Sequence, residues 1–293
     1  MESSRSARRW GVPAPSLLTP AVRPQASEAR ARVPLRLKTP REIALMREAG
    51  LVVSEALDAV RSLSAPGATT AQFDAAVAEV FRKYNAEPLF LGYPNSAKGK
   101  PAFPAVICAS VNEQVVHGVP NHRPLRAGDI VSVDTGCRLN GWCGDAAVTV
   151  SIGPVTTQIQ KLLDVTKETL NLALRAMERC TRWSEVANLM ERYVKGQGMF
   201  VIEQFVGHGI GQTMHEDPQV PNFVNRALRQ NDFRLEPGLV IAVEPMVALG
   251  TKEVVVLEDG WTVVTKDRRP SAHYEHTVAM TPEGPRILTP REF

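Results

Sequence analysis

No stretch of this chain is apolar for long enough to cross a membrane; its hydrophobic runs are short and strand-like. Cysteine is scarce. Cys108, Cys137, Cys143 and Cys180 include no C-x-x-C pair and are too few in 293 residues for a disulfide scaffold. Cys137 and Cys143 flank a turn, but reduced thiols are the expectation for a cytosolic enzyme. H-E-x-x-H is missing, which excludes a helical zinc-protease site, and no zinc-finger spacing occurs. Acidic residues are rare at the start: residues 1–37 hold seven arginines against Glu2 and Glu28, a balance of +5 within a total of +3. The same segment lacks the apolar core of a secretory signal. Its Arg- and Ser-rich character suits a disordered basic extension or an organelle transit peptide, and it could also rest on ribosomal RNA through phosphate charge. With 44% hydrophobic and 22% charged residues, the remainder reads as an ordinary globular protein with ample core.

Helical patterns come in two pairs. Thr39-Pro40-Arg41-Glu42 is a capping box with proline at the first helical position, followed by Ile43, Met46, Val53, Leu57 and Val60 at helical spacing. Thr69 to Gln72 opens a second helix with Phe73, Val77, Val80, Phe81 and Tyr84 inward. The second pair runs from Thr157 through Met177 and from Ser184 to Gly196. Strands are expected at 105–110, 115–116, 200–206, 239–245, 254–257, 261–265 and 274–280. This segregation predicts an α+β fold, one domain in two lobes at about 39–154 and 155–290.

The most informative stretch is Leu125 to Asp145. Ile130, Val131 and Val133 read as a strand, and Asn140-Gly141 is the preferred type I′ hairpin turn. Closing the hairpin there sets Leu139 against Trp142 and Asp134 against Ala147, so Asp145 is a diagonal neighbour of Asp134 on the same face. Two carboxylates among β-branched residues are costly unless a cation lies between them. The pattern then returns. Residues 235–244 copy 125–134 with a shift of 110, and Glu275-His-Thr-Val278 echoes Asp145-Ala-Ala-Val148 with a shift of 130. Duplication predicts two halves about a pseudo-twofold axis with four acids converging between them. No Lys or Arg in these strand segments is placed to neutralise them, so a metal cluster is the economical reading.

Gly207-His208-Gly209-Ile210-Gly211 and His215-Glu216 supply the imidazoles, with glycines that would let the backbone approach a ligand closely. Together Val115-Val-His-Gly-Val-Pro120, Asp134 with Asp145, Gly207 to Gly211, His215-Glu-Asp-Pro, Val243-Glu-Pro-Met246, Asp259-Gly-Trp-Thr262 and Tyr274-Glu-His-Thr277 resemble a type I methionine aminopeptidase. The likeness covers about Thr39 to Leu288. It implies the pita-bread (creatinase/aminopeptidase) fold of peptidase family M24, two pseudo-twofold-related lobes on a curved antiparallel sheet. It implies metal ligands Asp134, Asp145, His208, Glu244 and Glu275, with Asp145 and Glu275 bridging two divalent ions. A mainly oxygen donor set suits Mn or Fe(II), with Co or Zn also accepted.

By the same resemblance His117 and His215 hold substrate and stabilise the oxyanion, and Glu244 shuttles the proton of water. Tyr93, Phe103, Cys108, Met214 and Trp261 would line the methionine pocket. Two departures bear on it: the loop at 94–100 is longer than in simple members, and Met214 stands where an aromatic is common. The implied activity is removal of the initiator methionine from nascent chains with a small second residue, by a cytoplasmic monomer, or in a mitochondrion or plastid if residues 1–37 are a transit peptide. The ribosome surface is an added candidate partner, with neither membrane nor specific nucleic acid expected. The alternatives are an Xaa-Pro aminopeptidase or prolidase, a type II methionine aminopeptidase, and a non-catalytic ribosome- or RNA-binding relative. The first would carry a full N-terminal domain, the second a helical insertion between His208 and Glu275. A relative of the third kind tends to lose ligands that are all present here.

Overall fold

The computed structural model describes residues 35–290. The expected basic extension, apart from Leu35 to Leu37, lies outside the described residues. The first lobe contains α1 (Pro40–Leu63), α2 (Thr70–Lys83), β1 (Glu87–Pro88), β2 (Cys108–Val111), β3 (Gln114–Val116), β4 (Ile130–Leu139) and β5 (Trp142–Ser151). The second begins with α3 (Thr157–Met177), α4 (Trp183–Gly196), β6 (Phe200–Val201), β7 (Gly207–Gly209), β8 (Glu216–Val220) and α5 (Arg226–Asn231). It continues with β9 (Val240–Val243), β10 (Met246–Ala248), β11 (Val254–Val256), β12 (Val263–Thr265), β13 (Ser271–His273), β14 (His276–Thr281) and β15 (Gly284–Ile287). Every strand pairing among the described residues is antiparallel, and the four long helices α1 to α4 precede the strands of their lobe in sequence, in keeping with the α+β reading. No helix among the described residues is long and apolar enough to cross a membrane.

Capping explains where the helices begin. The Thr39 amide donates to Glu42 Oε2 at 2.7 Å while Thr39 Oγ1 accepts from the Glu42 amide at 3.3 Å, the reciprocal pair of a capping box. Thr69 and Gln72 repeat it for α2. On α1, the positions Ile43, Met46, Val53, Leu57 and Val60 are buried, and the helix packs on the β4–β5 hairpin. Contact is close enough to demand glycine on the hairpin, and the helix needs one at Gly50 to pass the backbone of Leu288. A Cβ on Gly144 of β5 would lie 2.6 Å from the Gly50 amide nitrogen, and one on Gly50 would lie 2.2 Å from the Leu288 carbonyl oxygen. Those neighbours are backbone and cannot swing away, so Gly144→Ala should lower stability by about 1–3 kcal/mol. A lower urea midpoint at unchanged m would register that loss; an unchanged midpoint would show that helix and hairpin separate freely.

The hairpin register is as expected: Leu139 pairs with Trp142, Asp134 with Ala147 and Asp145 with Gly136. Asn140 and Gly141 take φ of 51° and 82°, the left-handed values a type I′ turn requires. Cys137 pairs with Gly144 and Cys143 with Arg138, so their side chains leave opposite faces and the cysteines are free.

Several strand boundaries differ from expectation. Residues 105–107 are not strand, because the Val106 and Ile107 amides donate to Asp74 Oδ1 at 2.8 and 3.2 Å instead of to a ladder. The strand expected at 200–206 stops at Val201. Those expected at 239–245 and 274–280 are interrupted at Glu244-Pro245 and Tyr274-Glu275. The interruption matters. Val243 pairs with His276 and Met246 with His273, so one continuous register sets Glu244 directly across from Glu275 in the gap. Asp134 and Asp145 are instead diagonal, so the second lobe repeats the first with its pairing slipped by two residues.

Candidate metal centre

The two lobes meet along β5 and β14, where side chains stitch one backbone to the other. The Thr277 hydroxyl donates to the Asp145 carbonyl at 2.8 Å and accepts from the Asp145 amide at 3.1 Å. The Glu275 amide donates to the Ala147 carbonyl at 2.9 Å. One step further along, Thr149 Oγ1 donates to the His273 carbonyl at 2.8 Å and accepts from the His273 amide at 2.9 Å. Alternate residues of each strand therefore face one another, which brings Asp145 beside Glu275 although 130 positions separate them.

His208 reaches the acids from β7. Its Nε2 lies 4.0 Å from Asp145 Oδ2 and 3.6 Å from Glu244 Oε1. Its Nδ1 lies 2.9 Å from the Gly209 carbonyl, which can only accept, so Nδ1 carries the proton and Nε2 presents a lone pair to the carboxylates. Ligand atoms of Asp145, His208 and Glu275 all lie within 4.8 Å of one another. Asp134, Asp145, Glu244, His208 and Glu275 share the wall of one cavity of about 230 Å³.

The electrostatics mark a cation site. Burial raises the Asp145 carboxyl to about 7, against hydrogen bonds with the Ala146 amide and the Asp134 side chain that pull it down. Burial also holds Glu244 well above its usual range, and the like charges of Asp134 and Asp145 push it further. Asp145 Oδ1 is buried without a hydrogen-bond partner. A buried carboxylate oxygen in that state, among further carboxylates and one imidazole lone pair, fits a divalent cation. The donor set passes that test.

His117 and His215 line the same cavity without joining the carboxylate cluster. Burial, followed by the proximity of His215, lowers His117 to about 4, and burial lowers His215 as well, so both are neutral at pH 7. His117 follows β3 with a left-handed φ of 59°, an uncommon backbone state. His215 shares a 2.9 Å hydrogen bond with the Tyr93 hydroxyl, and its ring centroid is 4.3 Å from that of His208.

Tyr93, Phe103, Cys108, Met214 and Trp261 line the same cavity. Cys108 pairs across the ladder with Asp134, which ties the pocket to the acids. The 94–100 loop does not displace Phe103, whose ring meets Trp261 edge-on with centroids 5.2 Å apart. Asn95 Nδ2 donates to the Gly260 carbonyl at 3.0 Å and Lys100 Nζ to the Glu258 carbonyl at 2.6 Å, so the long loop braces the turn that carries Trp261.

Sequence reasoning missed Phe90, Val116, Phe205 and Val206 in the cavity wall, and His273 and Asn222 behind Glu244. His273 Nε2 lies 3.8 Å from Glu244 Oε2, and Asn222 Nδ2 donates to the Glu244 carbonyl at 3.0 Å. Strand alternation from Glu275 could have found His273 two residues earlier; Asn222 and Phe205 carry no local signal.

The glycines around His208 also make room for neighbouring strands. A Cβ on Gly207 would lie 2.3 Å from the Ala242 carbonyl oxygen, and one on Gly209 would lie 2.2 Å from that of Asp217.

Comparison with known proteins agrees with this geometry. The profile of metallopeptidase family M24 matches residues 44–282. A methionine aminopeptidase of Clostridium perfringens is 44% identical over 253 residues, covering 86% of this chain and 98% of the relative. Methionine aminopeptidase 1 of Bacillus subtilis is 42% identical over 252 residues, with the same coverage. The crystal structure of methionine aminopeptidase from Thermotoga maritima superposes with a TM-score of 0.81 at 40% identity, covering 88% of this chain and all of that one. A prolidase from Pyrococcus furiosus shares the fold alone, with a TM-score of 0.67 at 19% identity.

Proposed function

Because this chain belongs to metallopeptidase family M24, with methionine aminopeptidases as relatives over nearly its whole described length, we propose that it removes the initiator methionine from nascent chains whose second residue is small. It is a metallopeptidase that hydrolyses the bond after an N-terminal methionine. The observation that carries the reading is one cavity whose wall combines four carboxylates and three imidazoles with aromatic and other apolar side chains.

Asp134, Asp145, His208, Glu244 and Glu275 would hold two divalent ions of the Mn, Fe(II), Co or Zn kind. Such a pair supplies a water acidic enough to attack at neutral pH and a Lewis acid for the scissile carbonyl. The chain's own groups do the rest. Glu244, in the wall of the same cavity, is suited to take the proton of the attacking water and deliver it to the leaving amine. His117 and His215, kept neutral, can donate hydrogen bonds where negative charge develops on the carbonyl oxygen. Phe103, Trp261 and Tyr93 suit a thioether, which gains roughly 0.3–1.5 kcal/mol against an aromatic ring. Nascent chains as substrate place the enzyme in the compartment where they are made.

Exhaustive chelation is expected to abolish cleavage of Met-Ala-Ser, and added Mn or Co to restore it. The loaded enzyme should leave Ala-Pro peptides intact. Chelated protein that still cleaves would overturn the metal mechanism, and faster turnover of Xaa-Pro peptides would move the chain to the prolidase side of the family.

A further inference from the structure

Lys38 stands immediately before the cap of α1, 177 positions from His215, yet its side chain is only 2% exposed. Its Nζ donates to Glu216 Oε2 at 2.8 Å. Glu216 Oε1 accepts from the Gln212 and Thr213 amides at 3.0 and 3.3 Å, so the turn from Gly211 to Glu216 is wound around this one carboxylate. A Cβ on Gly211 would fall 2.4 Å from Glu216 Oε1, which shows how tightly it is wound. Burial pushes the Glu216 carboxyl up, but the Lys38 ammonium and the two amides outweigh it and hold the group below its ordinary value. Lys38 is itself anchored, its amide donating to the Gly238 carbonyl at 2.6 Å. The wound turn presents Met214 and His215 to the cavity.

We propose that Lys38 is a positioning residue: through its buried ion pair with Glu216 it holds His215 in register with the substrate carbonyl. Without the ammonium, Glu216 is left as a partly buried carboxylate with no counter-charge, and it relieves that state by turning to water. The Gln212 and Thr213 amides then lose their acceptor, the turn unwinds, and the His215 imidazole drifts. Glu216 opens β8 opposite Gly209, but His208 and Gly207 keep their own pairs with Gln219 and Val220 and Gly209 also pairs with Ile241 of β9, so metal binding is spared.

The inference rests on the reading of His215 as a substrate-contacting group, and the test separates the two. Lys38→Met, His215→Ala and their combination are assayed on Met-Ala-Ser with bound metal counted. Lys38→Met is expected to lower kcat/KM by about 10–100-fold at unchanged metal content, and to add less than about twofold in the His215→Ala background. Glu216→Gln combined with Lys38→Met should recover most of the loss, since neither charge then remains buried alone. Equal effects of Lys38→Met in both backgrounds, or loss of metal or folding that accounts for the whole deficit, overturn the proposal while leaving the reading of His215 intact. Full activity in His215→Ala removes that reading and the proposal with it.

Discussion

Glu244→Gln is expected to lower kcat on Met-Ala-Ser by about 10³-fold, roughly 4 kcal/mol of barrier, and at pH 7 to make the metal-free protein harder to melt. The two effects have one cause. Glu244 faces Glu275 across the β9–β14 gap, and burial of its carboxyl, followed by the like charges of Asp134 and Asp145, holds it well above the ordinary range in the metal-free protein. A carboxyl raised on folding contributes no penalty below its unfolded value near 4.3. Above that value it costs stability, increasingly so until its folded value is passed. The carboxamide escapes that penalty, about 1–3 kcal/mol for a group of this kind, or some 2–4 °C for each kcal/mol in a domain slightly smaller than this one. In metal-loaded protein the sign reverses, because ligands bound only to the folded state add stability that the variant forfeits. Differential scanning calorimetry of both forms checks this. A variant that melts lower in both, or keeps wild-type kcat, contradicts the role of Glu244.

The second large effect belongs to Gly207→Ala. The added methyl would sit 2.3 Å from the Ala242 carbonyl oxygen, inside the ladder that places β7 beside β9. One strand must move, and His208 is the next residue. Displacement of about 1 Å at a reacting centre can reduce rate by 10²-fold, so kcat/KM should fall by at least that factor and bound metal should fall with it. Gly196→Ala is the control. That glycine ends α4 with nothing within 4 Å of a built Cβ, and alanine there should be neutral or stabilising by up to about 1 kcal/mol. If Gly207→Ala binds metal as tightly as the parent, the account of these glycines as spacers between strands is wrong.

Much of the centre was legible beforehand because its parts are local. The Asn140-Gly141 turn and strand alternation put Asp134 and Asp145 on one face, and the capping boxes at Thr39 and Thr69 start both helices where the chain starts them. All five acid and imidazole positions, both further histidines and the five pocket residues line one cavity. What was misread has a common physical character. Residues 105–107 alternate like a strand, but Asp74 captures their amides from another element. The repeat predicted two similar halves but no register for the second, where pairing is slipped by two and a diagonal pair of acids becomes a facing one.

By itself, the sequence determined which face of the first hairpin its two acids occupy, because turn chemistry and two-residue alternation act over a few neighbours. Only the tertiary structure decided what the elements meet: the Thr277–Asp145 and Glu275–Ala147 seam, the Gly50–Gly144 approach, and the reach of Lys38 to Glu216. Such contacts join residues roughly 90 to 180 positions apart, and they depend on the register of whole elements, which no local pattern encodes.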